Sequence, residues 1–102
     1  MTKINMTYHV IEERMDRVVE IATTVGFGEP TLEVANCKNN TVVVLTDTGV
    51  VLIKSPDHTK LVTMYLATYK QADAFYHLAN QPFPSWMKSI IKKNVKKYAF
   101  LY

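Results

Sequence analysis

Apolar positions follow two different periods along this chain, and the period changes twice. From about Ile4 to Val25, the residues Ile11, Met15, Val18, Ala22 and Val25 recur at steps of three and four, and Tyr8 extends the stripe at its start. That spacing stacks them on one face of a helix, predicted over 4–25, with Glu12, Glu13, Asp16 and Glu20 mostly on the other side. Thr7 or Asn5 offers a start, and Gly26-Phe27-Gly28-Glu29-Pro30 a stop, because glycine can cap a helix and proline cannot continue one. The period then shortens to strand-like segments. Thr31 to Asn36 is the first, followed by a turn at Cys37-Lys38-Asn39-Asn40. Thr41-Val42-Val43-Val44-Leu45-Thr46 is rich in β-branched residues, and Asp47-Thr48-Gly49 turns it into Val50-Val51-Leu52-Ile53-Lys54. After Ser55-Pro56-Asp57-His58, a fourth strand alternates from Leu61 to Thr68. Strands joined by such short turns make an antiparallel meander.

Helical spacing returns with Ala72, Phe75, Tyr76 and Ala79, and Asn80 to Pro84 breaks it. Ser85 is the predicted cap of a final helix reaching about Tyr98, with Trp86, Met87, Ile90, Ile91 and Tyr98 as its apolar face. The expected architecture is therefore α+β, a single domain over 1–102. An N-terminal helix packs on a four-stranded antiparallel sheet (31–68), and one or two C-terminal helices (69–98) follow. One helix on one sheet leaves the second sheet face open.

Composition narrows the class. The chain has 102 residues, 48% of them hydrophobic and 21% charged, which fits one globular core and excludes a disordered or fibrous chain. No apolar run approaches the roughly 20 residues of a membrane span, and the opening residues lack a signal peptide's apolar stretch, so a cytoplasmic location is expected. A single cysteine, Cys37, excludes an internal disulfide and a multi-cysteine zinc site. His9, His58 and His77 are too dispersed for a metal site, and Gly26-Phe27-Gly28 lacks the further glycine and helix start of a phosphate loop. Neither metal nor cofactor is expected.

Charge is uneven. The formal net charge is +3, yet residues 1–84 hold seven basic and nine acidic side chains, while residues 85–102 hold Lys88, Lys92, Lys93, Lys96 and Lys97 and no acid. Such a face is either a solvated helix surface or a footprint for nucleic acid. Further polar residues stand at His9 and Arg14 on the first helix, at Thr46 and Lys54 at strand ends, and at Thr63 and Tyr65 on one side of the last strand. Each has an ordinary structural explanation. Together, an imidazole, cations and hydroxyls are what metal-free phosphodiester cleavage requires: a base for the 2′-hydroxyl, an acid for the leaving oxygen, and cations for the charge on the phosphorane.

The run His9-Val10-Ile11-Glu12-Glu13-Arg14-Met15-Asp16-Arg17 resembles the helical opening of small phage and bacterial proteins of the barnase/colicin/RelE-like superfamily. Val42 to Val50, followed by Leu61-Val62-Thr63-Met64-Tyr65, resembles their closing strands. The resemblance spans roughly residues 8–68. It implies a metal-independent ribonuclease fold, often a toxin, in which His9 acts as general acid/base, Arg14 and Lys54 clamp phosphate, and Thr63 and Tyr65 line the site. The resemblance does not extend to the helices after Thr68. The expectation is a protein that cleaves or binds RNA, with Lys88, Lys92, Lys93, Lys96 and Lys97 as phosphate contacts. The alternative is a phage-encoded inhibitor or regulator that binds a host protein without catalysis. Five methionines and eleven aromatic residues suit an adaptable contact surface, and Phe100-Leu101-Tyr102 offers a docking tail for a partner or a second copy.

Overall fold

The computed structural model describes residues 5–6, 15–36 and 39–102. In chain order these form β1 (Asn5–Met6), α1 (Met15–Thr24), β2 (Pro30–Asn36), β3 (Thr41–Thr46), β4 (Val50–Lys54), β5 (Lys60–Leu66), α2 (Tyr69–Leu78), α3 (Ser85–Lys97) and a 3₁₀ turn at Ala99–Leu101. The α+β class and the four-stranded antiparallel meander hold, in the order β5-β4-β3-β2. A fifth strand was not expected. Asn5 and Met6, assigned by periodicity to the first helix, pair in parallel with Lys60 and Leu61. An edge strand's unpaired amide groups favour such a partner over the local helical tendency of two residues.

A further departure concerns the second face of the sheet. Val42, Val44, Leu52, Met64 and Leu66 form one core with Val18 and Ile21 of α1. On the opposite face, Val43, Leu45, Val51 and Leu32 form a second core with Ala72 and Tyr76 of α2 and Met87 and Ile91 of α3. The sheet is therefore covered on both sides, and the open face expected from one helix on one sheet does not exist as such. Unbroken apolar runs through β3 and β4 are what two-sided burial demands. In α1, Ile21 takes the innermost place, a position outside the expected stripe.

Local chemistry sets the boundaries. Thr68, expected as the end of the last strand, instead caps α2: its hydroxyl accepts from the Gln71 amide while the Gln71 side chain accepts from the Thr68 amide, a capping box. Asn80, at φ 59°, ends that helix as Gln81 N–H returns to Tyr76 C=O and Asn80 N–H to His77 C=O, both at 3.0 Å. Pro84, not Ser85, occupies the cap position of α3, and no side chain caps it.

Helix α3 straddles the end of the sheet. Met87 and Ile91 enter the second core, the buried Asn94 donates from Nδ2 to the Thr48 carbonyl in the β3–β4 turn at 2.8 Å, and Tyr98 and Leu101 reach the first core. Gly49 makes this approach feasible. It sits at φ 83°, and a Cβ there would lie 2.7 Å from the Asn94 amide nitrogen. The same turn is held from the other side, where Glu29 N–H donates to Asp47 Oδ1 and the Thr48 hydroxyl donates to Gly26 C=O, both at 2.9 Å.

Candidate nucleic-acid interface

Of the residues grouped for phosphodiester cleavage, His9 and Arg14 lie outside the described residues, as does Cys37. Of the other four, Lys54, Thr63 and Tyr65 do not converge. Thr63 pairs with Ile53 and Tyr65 with Val51, on the α2/α3 side of the sheet, whereas Lys54 pairs with Val42 and Leu61, on the α1 side. Successive residues of a strand point to opposite faces, so Lys54 and the two hydroxyls are separated by the sheet itself. The Thr63 hydroxyl is buried without a hydrogen-bond partner among the described residues. Burial pushes the Tyr65 phenol above its ordinary range, which keeps it protonated rather than poised for proton transfer near neutrality. Thr46 is structural: its hydroxyl lies 3.0 Å from that of Thr48 and accepts from Val50 N–H.

Among the described residues, no three histidine, cysteine or acidic side chains are grouped to hold a metal ion. His58 lies 3.7 Å from Glu33 as an exposed pair. No described helix is long and apolar enough to cross a membrane. The tail Phe100-Leu101-Tyr102, which the aromatic pattern also lets pack back on the chain and which the rival reading offers to a partner, is engaged within the chain. Leu101 is buried in the first core, its carbonyl accepts from the Arg17 guanidinium, and the Tyr102 hydroxyl donates to Ala67 C=O at 3.0 Å. Phe100 is 65% exposed and Tyr102 39%. Arg17 thus holds the C-terminal turn against α1.

The five lysines present a different picture. Because α3 is anchored by Met87, Ile91 and Asn94, the geometry of 3.6 residues per turn spreads its lysines over the outward half. Lys92, Lys93, Lys96 and Lys97 are exposed, and Lys88 is half-buried with its ammonium 5.2 Å from the Phe83 ring centroid. Two aromatic side chains flank them. Trp86, assigned by periodicity to the apolar face, is 46% exposed, because its position on the helix lies a quarter turn from the buried line of Met87, Ile91 and Asn94. Tyr69, at the start of α2, is 53% exposed. Between Tyr69 and α3 runs an apolar groove of about 350 Å³, lined also by Lys88, Ser89, Ile91, Lys92 and Val95. Sequence reasoning identified the lysines and missed Tyr69, whose only signal was an aromatic residue directly after the capping Thr68.

Neither a protein family, a curated protein nor a solved structure matches this chain. The likeness to the barnase/colicin/RelE-like superfamily therefore rests on its two short motifs.

Proposed function

We propose that this chain binds RNA through the outward face of α3, in line with its resemblance to RNA-acting proteins. The observation that carries the reading is the placement of Lys88, Lys92, Lys93, Lys96 and Lys97, with no acid among residues 85–102, on a helix whose inner face is fixed in the second core by Met87 and Ile91. Clustered cations on one helix face attract the phosphate backbone and release its counterions, and Asp47, which lines a cavity with Lys93, is an acid that lies beside them. Exposed Tyr69 and Trp86 beside them add stacking surfaces that a purely solvated lysine face would not need. The reading is binding rather than cleavage, since Lys54 and the hydroxyls of Thr63 and Tyr65 lie on opposite sheet faces.

The rival reading, a regulator that docks a host protein, calls for a contiguous apolar patch. Tyr69 and Val95, the exposed apolar side chains that line a groove, do so together with Lys88 and Lys92 rather than in an uncharged patch. Fluorescence anisotropy with labelled RNA across a salt series tests the proposal. Affinity should fall steeply as salt rises. Absence of RNA binding even at low salt would overturn it.

A further inference from the structure

We propose that the groove between Tyr69 and α3 receives one unpaired base, which makes single-stranded RNA the ligand class. This rests on the RNA-binding reading and narrows it. Tyr69 is presented by packing: its ring centroid lies 4.9 Å from that of Phe83, which in turn stacks on the buried Tyr76 at 5.4 Å and 14°. The capping box of Thr68 and Gln71 fixes the backbone immediately before it. A ring so held has little conformational freedom to lose when a base stacks on it. Ile91 and Val95 supply an apolar floor, and Lys88 and Lys92, one helical turn apart, supply cations for the adjoining phosphates. An aromatic platform beside a basic track is how proteins hold single strands with little regard to sequence.

Size and charge select this occupant. At about 350 Å³ the groove is at the small end of ligand sites, suited to a flat ring. An acidic amphipathic helix would need anchors over two turns, and Ile91 to Val95 covers little more than one. Duplex RNA keeps its bases stacked inward and offers none to the groove.

The test compares one labelled RNA, single-stranded and in duplex form, against the wild type, Tyr69→Ala and Tyr69→Phe by anisotropy at low salt. Tyr69→Ala should weaken single-strand binding about tenfold and leave duplex binding unchanged, while Tyr69→Phe, which keeps the ring, should bind as the wild type. A 2-aminopurine reporter in the strand should be quenched by the wild type and not by Tyr69→Ala. Circular dichroism and melting of the variants establish that they are folded. If RNA binds but Tyr69→Ala changes neither form, the stacking site is overturned and the lysine interface stands. If neither form binds at low salt, both readings fall. If polyglutamate binds in place of RNA and Tyr69→Ala abolishes that, the groove serves an acidic peptide and the proposal is overturned.

Discussion

The Thr63 hydroxyl is desolvated among apolar neighbours with no partner among the described residues, and a buried hydroxyl in that condition costs about 1–3 kcal/mol. Thr63→Val replaces it with a methyl group of nearly the same shape, so the variant should be more stable by about 1 kcal/mol, raising Tm by roughly 4–8 °C. Urea and thermal melts measure this, and a loss of stability would show that the hydroxyl has a hydrogen-bonding role. Asp57 is the opposite case. Its carboxylate accepts from the Ser55 hydroxyl at 2.7 Å and from the Thr59 hydroxyl and amide at 2.7 and 3.1 Å, and these bonds, that of Ser55 foremost, lower its pKa from 3.8 to about 2. The folded value lies below the unfolded one. The stabilisation of the β4–β5 turn is therefore complete above pH 3.8 and is lost as pH falls through about 2. A side-chain NMR titration should place the Asp57 midpoint near 2, and a midpoint at the ordinary 3.8 would mean the turn does not hold these bonds in solution. At this scale the sequence showed residue types well. It grouped Thr63 and Tyr65 correctly on one face but added Lys54, because nothing local reveals a register in which Ile53, not Lys54, sits opposite Thr63.

Among the elements, β3, β4 and α2 were the most legible. Dense β-branched runs, the Asp47-Thr48-Gly49 turn and the helical spacing from Ala72 to Ala79 are local signals, and local hydrogen bonds answer them. The inner face of α3 was only half legible, because one of its buried residues is polar. Asn94 takes a core place by donating to the Thr48 carbonyl 46 residues away, a bond that hydrophobic periodicity cannot foresee. Asn94→Ala leaves that carbonyl without its donor and opens a gap at the hairpin turn, and should cost about 1–3 kcal/mol by urea denaturation. A change within experimental error would mean that α3 is held by Met87 and Ile91 alone.

For the whole molecule, the decisive feature is that α3 is anchored in the second core by Met87 and Ile91, while Tyr98 and Leu101 just after it reach the first, which turns its lysines outward. Replacing Lys92, Lys93 and Lys96 with alanine removes exposed side chains and should leave the melting temperature nearly unchanged. The dependence of log K for single-stranded RNA on log salt should flatten by about 0.7 for each lysine that contacts phosphate, or about two for all three. An unaltered slope would place the RNA contacts elsewhere. The unbroken apolar runs of Val42 to Leu45 and Val50 to Ile53 fit a sheet with two covered faces, but it is the docking of α2 and α3 that supplies the second cover.

By itself, then, the sequence determined the α+β class, the meander, the order of elements from α1 onward and a basic C-terminal helix, since these follow from periodicity, turn chemistry and composition within short windows. Tertiary structure alone decided that Asn5 and Met6 pair with β5, that both sheet faces are covered, that Lys54 stands apart from Thr63 and Tyr65, and that Tyr69 meets Lys88 and Lys92 across a groove. The physical reason is common to all four. Strand register and helix docking are set by contacts between residues far apart in the chain, and a shift of one residue or a fraction of a helical turn reverses which side chains share a surface.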